Sequence, residues 1–264
     1  MADGQTGQDL IYEVRDGVGF VTLNRPQARN ALTHEMYDEL ARICTSIPDD
    51  GSVHALLITG AGEKAFAAGT DISLFLDFTT AEQGLAYEDA AKRNFDAYDA
   101  CPVPMIAAIS GACTGGGAGI AACCDLRIAT RSLKFGFPIA RTLGNMLSAD
   151  TLYRVVALIG EARTKDILLT SRLIEAEEAL ATGLVNEVVD DHAALMDRAW
   201  DLAKQLKNHA PLTMRATKVL LSRIRTHGPT AEDTDWIAKV YASADFKEGR
   251  EAFLEKRKPN WRGV

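Results

Sequence analysis

The feature that most constrains this chain is a glycine-rich turn between two apolar segments. Residues 103–109 form an apolar, β-branched run, which predicts a buried strand. Gly111 and the triplet 115–117 follow, and residues 118–126 are small and apolar, as in a buried helix. A helix that begins here would direct free N–H groups and its positive dipole end into the gap. Because glycines also permit close packing of the main chain, a ligand site and a tight structural turn both remain open on this stretch.

A second turn of this kind follows the apolar residues 56–59. Gly60, Gly62 and Ala65 imitate the Gly-x-Gly-x-x-Ala fingerprint of dinucleotide-binding folds. That fingerprint needs a helix that begins at the glycines, whereas residues 66–69 lack helical apolar spacing. The hypothesis of a dinucleotide-dependent enzyme therefore rests on this short match alone.

Composition and charge argue against several classes of protein. A length of 264 residues suits one large domain, and a net charge of −7 argues against nucleic-acid binding, which needs clustered Lys and Arg. The five cysteines lack metal-ligand spacing, so we expect buried thiols and no metal site. Residues 1–8 are polar and no long apolar run occurs, so we expect no signal peptide, no membrane span and a cytoplasmic location.

Hydrophobic spacing predicts an α/β protein with its helices concentrated towards the C-terminus. Asp16 and Gly17 predict a hairpin turn between two strands, and Thr33 is suited to the N-cap of a helix. Alternating strands, helices and glycine turns follow, and the last third shows amphipathic helical spacing. We therefore predict a strand-rich core over residues 1–191 and a helical portion over residues 192–264.

A set of short motifs lies in a fixed order along nearly the whole chain. They are Leu23-Asn-Arg-Pro-Gln-Ala-Arg-Asn-Ala-Leu32, Lys64-Ala-Phe-Ala-Ala-Gly-Thr-Asp71, Gly111-x-x-x-Gly-Gly-Gly117, Cys124-Asp125, Phe135-Gly-Phe-Pro138 and the segment from Asp245 to Pro259. The ordered set resembles the crotonase family, also called the enoyl-CoA hydratase/isomerase family. That resemblance implies a spiral of ββα units whose helical C-terminal portion builds a homotrimer, often doubled to a homohexamer.

The resemblance also assigns a role to the two glycine turns. In the family, one main-chain N–H from each turn binds the thioester oxygen of an acyl-CoA substrate, and these donors fall here on Thr70 and Gly116. Preformed donors stabilise an enolate without solvent reorganisation, and the loss of one costs about 3 kcal/mol. Because the donors are main-chain atoms, Thr70 can stand where relatives have a smaller residue, although its side chain is expected to narrow the pocket.

Coenzyme A enters this interpretation as part of the substrate, and no permanently bound cofactor is expected. Arg29 and Lys64 would face its phosphates, whereas the residues alone would suggest ordinary solvated cations. Main chain near Ala65, Ala67 and Ile72 would bind the adenine. For the Asp71 carboxylate we expect a structural hydrogen-bonding role. The CoA-binding residues implied by the resemblance are Arg29, Ala31, Lys64, Ala65, Ala67, Asp71 and Ile72.

The chain departs from the family at the usual acid and base. A hydratase of this family holds water between two glutamates, which remove its proton and protonate the α-carbon. The first glutamate position is Gly119, and the second falls on Ile139 or Ala140 because one extra residue precedes Gly144. Neither position can transfer a proton, which argues against simple hydration. Isomerisation, C–C cleavage, decarboxylation and thioester hydrolysis stay open.

Three later residues could replace the missing groups. Arg141 could bind a substrate carboxylate, as a decarboxylase requires, although a surface ion pair is the alternative. Ser148 and Asp150 lie at a predicted helix start, where capping is the alternative, and Asp150 is the best remaining carboxylate. An acyl-CoA enzyme of this family is the leading hypothesis. The alternatives are a non-catalytic acyl-CoA-binding paralogue, or a decarboxylase or hydrolase on the same scaffold.

Overall fold

The computed structural model describes residues 9–264, so the expectation about residues 1–8 lies outside the described residues. Its strands are β1 Leu10–Arg15, β2 Val18–Leu23, β3 Ala55–Gly60, β4 Ala65–Ala67, β5 Met105–Ile109, β6 Ala112–Thr114, β7 Leu126–Thr130, β8 Lys134–Gly136, β9 Ile174–Glu175 and β10 Glu187–Val189. Its α-helices are α1 His34–Ser46, α2 Ala81–Asp99, α3 Gly116–Cys123, α4 Ile139–Thr142, α5 Ala149–Ile159, α6 Glu161–Thr170, α7 Ala176–Ala181, α8 His192–Leu206, α9 Pro211–His227, α10 Thr234–Tyr241 and α11 Ala244–Glu255. Short 3-10 helices cover Pro26–Ala28, Ile72–Phe75 and Gly228–Thr230.

The strands form two sheets. The larger has the order β1-β2-β3-β5-β7-β10, with β1 and β2 antiparallel and every later pair parallel. The smaller has the order β4-β6-β8-β9, with only its last pair antiparallel. Consecutive strand pairs β3/β4, β5/β6 and β7/β8 each place one strand in each sheet before the chain enters a helix. This repetition is the spiral of ββα units, and the predicted α/β class is confirmed.

The structures predicted from local sequence signals are present. Asp16 and Gly17 both have positive φ, 50° and 80°, and join β1 to β2 as a two-residue turn. The Thr33 hydroxyl accepts a hydrogen bond from the Met36 amide at 3.3 Å and caps α1. All five cysteines are buried free thiols, as expected.

The larger sheet is apolar on both faces. Leu56 and Ile58 of β3 pack into the core that also holds α1 and α3, whereas Leu57 packs on the opposite face. That opposite face is covered by α8 through Leu195, Ala199, Ala203 and Leu206. The helix that follows the proposed boundary at residue 191 therefore shares a core with the preceding strands, and the division of the chain remains a prediction. Within residues 9–264, no helix has the length and apolar character required to cross a membrane.

Candidate active site

Sheet pairing brings together the turn that contains Gly69 and Thr70 and the turn at residues 115–117. The neighbouring parallel strands β4 and β6 end at the same sheet edge, and each is followed by one of the turns. A Cβ on Gly115 would lie 3.3 Å from the Gly69 Cα, and a Cβ on Gly117 would lie 2.3 Å from the Ala67 carbonyl oxygen. Only glycine permits this approach, because a side chain at Gly117 would have to displace main chain. The helix α3 consequently begins directly against the end of β4.

Hydrogen bonding fixes the direction of the two amides. The Gly69 carbonyl accepts from the Leu32 amide at 2.9 Å, so the Thr70 N–H, on the opposite side of that trans peptide, points away from Leu32. The Gly115 carbonyl accepts from the Gly119 amide at 3.0 Å, so the Gly116 N–H points out of the start of α3. Among residues 9–264, neither amide has an acceptor. Two free donors thus stand at one sheet edge.

Both donors line a single cavity with a volume of about 230 Å³. Its walls come from α1, the segment 68–75, α2, the start of α3 and the segment 137–151. Most of the lining is apolar or aromatic, as in pockets that bind small organic ligands. Polar, aromatic and bulky side chains of the lining include His34, Tyr37, Thr70, Tyr87, Glu88, Asn94, Phe95, Ile139 and Thr151.

The Thr70 hydroxyl occupies the centre of a hydrogen-bonded chain. It lies 2.9 Å from the Tyr37 hydroxyl and 3.2 Å from the Tyr87 hydroxyl. The Tyr37 oxygen also lies against Gly116, where an added Cβ would be 1.8 Å away. Burial raises the pKa of both tyrosines, so both hydroxyls stay protonated at neutral pH. Tyr37 and Tyr87 therefore line the cavity together with the Thr70 side chain, which we expected to narrow it.

The segments assigned to CoA run side by side. The Ala68 amide donates to the Arg29 carbonyl at 3.0 Å, and the buried Asn30 side chain donates to the Ala65 carbonyl at 2.8 Å. Arg29 and Lys64 are exposed. The Ala31 carbonyl accepts from the Arg25 guanidinium at 2.7 Å. These contacts hold the two segments as one surface, while the phosphate contacts of Arg29 and Lys64 remain predictions.

The remaining residues assigned to CoA have different surroundings. Ala65 and Ala67 are buried in β4, whereas Ile72 is 58% exposed and lines the cavity. The Asp71 carboxylate accepts hydrogen bonds from Ser73 and, at 2.8 Å, from Arg25. These hydrogen bonds, of which that from Ser73 has the largest effect, hold the pKa of Asp71 below its usual value. Asp71 therefore makes structural hydrogen bonds, and its assignment to the CoA site remains a prediction.

The two positions of the usual glutamates differ in the space around them. A Cβ on Gly119 would lie 2.7 Å from the Phe95 ring, so an aromatic side chain fills the volume that a carboxylate would occupy. Ile139 lines the cavity, whereas Ala140 is exposed and lies outside the lining. Of the two positions that the sequence left open, Ile139 is the one that faces the pocket, and it is apolar.

The three replacement candidates lie outside the cavity lining. Arg141 is exposed, in the last turn of α4. Ser148 caps α5, since its hydroxyl accepts from the Thr151 amide at 3.4 Å. The Asp150 carboxylate accepts from the buried Arg154 side chain at 3.0 Å. Structural partners therefore exist for Ser148 and Asp150, and the catalytic roles of all three remain predictions.

Sequence reasoning missed two of the residues that line the cavity from α2. Glu88 and Phe95 both belong to it, and neither was singled out as a site residue. A usable signal was present, because Glu88, Ala91 and Phe95 follow the three- and four-residue spacing of one helical face. A single carboxylate on an otherwise apolar helical face is the pattern that would have identified Glu88.

Comparisons with known proteins identify the family of this chain. The family model for Enoyl-CoA hydratase/isomerase matches residues 13–264. The Short-chain-enoyl-CoA hydratase of Clostridium acetobutylicum is 34% identical over 253 residues, 95% of this chain and 96% of its own. The (E)-benzylidenesuccinyl-CoA hydratase of Thauera aromatica is 36% identical over 261 residues, 97% and 99% of the two chains.

Solved structures show the same relationship. The crystal structure of an enoyl-CoA hydratase/carnithine racemase from Magnetospirillum magneticum superimposes with a TM-score of 0.89 at 36% identity, over 98% of this chain and 97% of that one. Enoyl-CoA hydratase from Bacillus anthracis gives a TM-score of 0.86 at 31% identity, over 97% and 100% of the chains. The chain therefore belongs to the enoyl-CoA hydratase/isomerase family and has the crotonase fold.

Proposed function

We propose that this protein binds an acyl-CoA thioester in the cavity and stabilises its enolate through the amides of Thr70 and Gly116. The single observation that carries the proposal is the pair of free N–H groups at one sheet edge, each on a peptide whose carbonyl is bonded elsewhere. Fixed donors of this kind stabilise charge that develops on a thioester oxygen. The surface formed by residues 25–31 and 64–72 would hold the CoA portion.

The proposal is tested by removing one N–H while leaving the rest of the turn. Thr70→Pro deletes the donor and Thr70→Ala keeps it. Acetoacetyl-CoA is the probe, because its enolate absorbs in the near ultraviolet. We expect the wild type and Thr70→Ala to bind the enolate, and Thr70→Pro to bind it about 100-fold more weakly.

Thermal unfolding of both variants checks that the fold survives. If Thr70→Pro is not folded, Gly116→Pro serves instead, combined with Tyr37→Phe to relieve the close approach of the hydroxyl. Equal enolate binding by the proline and alanine variants would contradict the proposal, and so would a wild type that binds only the keto form.

A second candidate is an acyl-CoA-binding protein without turnover. The observation that favours it is the Phe95 ring against Gly119, which closes the position of one usual glutamate. Tight binding of enoyl-, malonyl- and aryl-CoA thioesters, with no product from any of them, would select this candidate. Product from the malonyl-type thioester would instead select a decarboxylase, and free CoA a hydrolase.

The same proposal extends to a homotrimer or homohexamer. The helices α9, α10 and α11 carry large exposed apolar side chains: Leu221, Ile224, Ile237, Tyr241, Phe253 and Leu254. Phe253 is 84% exposed and Leu254 is 79% exposed, which is typical of surfaces that another protein covers. Light scattering should give three or six chains, and Phe253→Glu should lower that number.

A further inference from the structure

Glu88 is the one carboxylate among the cavity-lining residues that the structure describes. It lies in the second turn of α2, half-buried, on the face that carries Ala91 and Phe95. The adjacent Tyr87 bonds to Thr70 through its hydroxyl. The turn of α2 that carries Glu88 is therefore attached to the residue whose amide is one of the two free donors.

Within residues 9–264, no cation neutralises Glu88. Other carboxylates near this end of the cavity have partners: Asp150 pairs with Arg154, and Asp96 pairs with Lys92 at 2.5 Å. The Ser148 main chain is the polar neighbour that favours the charged form of Glu88. Burial raises the pKa of Glu88 above its ordinary value, and the Ser148 main chain offsets part of that rise. A carboxyl of this kind accepts and returns a proton more readily near neutral pH than an ordinary glutamate does.

The other titratable residues of the lining are less suited to removing a proton from carbon. Tyr37 and Tyr87 are kept as neutral hydroxyls by burial and are hydrogen-bonded to Thr70. His34 belongs to the lining but is exposed to solvent, edge-on to Tyr87 at a centroid distance of 6.1 Å. Arg154 lies outside the lining and is held in ion pairs with Asp96, Asp99 and Asp150. Glu88 is left as the group that can exchange a proton inside the pocket.

We propose that Glu88 is the catalytic residue that removes and returns the proton at the carbons next to the thioester, an inference that rests on the proposed function. The carboxylate takes a proton from the α-carbon of a 3-enoyl thioester. The C–H electron pair becomes the dienolate, whose oxygen accepts hydrogen bonds from the two amides. The protonated Glu88 then donates to the γ-carbon, and the double bond moves from the β,γ to the α,β position.

This step needs a single base and no water. The proton that leaves one carbon returns to another, so the enzyme ends unchanged and the product is an isomer of the substrate. Hydration in the family uses two carboxylates, whereas Gly119, with the Phe95 ring against it, and Ile139 stand at those positions here. The substrate class that fits is therefore a β,γ-unsaturated acyl-CoA.

The test uses but-3-enoyl-CoA as the substrate in D₂O. Mass spectrometry measures the deuterium incorporated at the α- and γ-carbons, and absorbance measures the product, but-2-enoyl-CoA. The variant is Glu88→Gln, and the matched control is Asp89→Asn, an exposed neighbour on the same helix. We expect Glu88→Gln to lose exchange and isomerisation by at least about 100-fold. Glu88→Ala should be partly rescued by added formate, which a purely structural role for Glu88 would not produce.

The outcomes separate this inference from the proposed function. Acetoacetyl-CoA binding should be retained in Glu88→Gln, and its unfolding temperature reports on the fold. Exchange in that variant within about threefold of wild type overturns the role of Glu88 while leaving the enolate site intact. A wild type that binds the enolate but exchanges no deuterium overturns it too. A wild type that binds no acyl-CoA overturns both proposals.

Discussion

The cavity has one wall of main chain and one wall of side chains. The first consists of the turns after β4 and β6, where the glycines pack so closely that a Cβ on Gly115 would lie 3.3 Å from the Gly69 Cα. The second consists of α2 and residues 137–151, and it presents Glu88, Phe95 and Ile139. The position of the first wall is set by parallel strand pairing, and the chemistry of the second by individual residues.

This difference explains how the chain keeps two free main-chain amides at the cavity without the two usual glutamates. An amide donor is present whatever the side chain, so Thr70 leaves the first wall intact. A carboxylate disappears with one substitution, as at Gly119 and Ile139. Function carried by main chain and function carried by side chains are therefore expected to respond differently to mutation.

The largest expected effect comes from removing the ion pairs that hold α2, part of the side-chain wall, against α5 and α9. Asp99 at the end of α2 pairs with Arg154, whose side chain is 2% exposed, and with Arg225 of α9. Asp99→Ala leaves two cations without this partner, and we expect unfolding free energy to fall by about 3 kcal/mol in urea titrations. Asp96→Ala, at the half-exposed pair with Arg154, should cost less than about 1 kcal/mol. Equal losses would show that Asp99 is not the main attachment.

The next effect tests whether Phe95 closes the first glutamate position. Gly119→Glu alone forces the new side chain against the ring and should destabilise the protein by about 1–3 kcal/mol. Combining it with Phe95→Ala should cost less than the sum of the single changes, by about 0.5–3 kcal/mol. Strict additivity in unfolding experiments would contradict this packing explanation.

A smaller effect separates the Thr70 side chain from its amide. Thr70→Val leaves the buried Tyr37 hydroxyl without a partner, which should cost about 1–3 kcal/mol of stability. The amide remains, so the affinity for the acetoacetyl-CoA enolate should change by less than about tenfold, well below the loss expected for a missing donor. Thr70→Ser keeps a hydroxyl and is the matched control. A large loss of enolate binding in Thr70→Val would assign the function to the side chain.

The smallest effect is the pH dependence of stability at Glu88. Its pKa is raised in the folded protein, mainly by burial, so the folded state binds this proton more tightly than the unfolded state. The contribution to stability is therefore full below the unfolded pKa, about 4.3, and is lost as pH rises through the folded pKa. Glu88→Gln should become relatively more stable than wild type over that range, measured as unfolding temperature. A constant difference at every pH would show that the pKa is not raised.

Signals that depend on neighbours along the chain were predicted well. The Asp16-Gly17 turn and the caps at Thr33 and Ser148 formed because each uses groups within three residues. The motif order along the chain also identified the family and the two glycine turns that meet at the cavity. Exact boundaries were less accurate: the strand predicted from residue 103 begins at Met105. The short strands β4, β6 and β9 were not anticipated, because two or three residues carry too little periodicity.

The sequence by itself identified both turns of the main-chain half of the site, because each depends on local glycines, at Gly69 and at residues 115–117. The two turns meet because β4 pairs with β6. Only the tertiary structure decided the side-chain half. Phe95 fills the space beside Gly119, although 24 positions separate them in the chain, and Ile139 faces the pocket while Ala140 faces solvent. Glu88 became a candidate because α2 packs over the sheet edge with that residue directed into the cavity. Local spacing can place Glu88 and Phe95 on one face of α2. Which cavity that face lines depends on how distant segments pack.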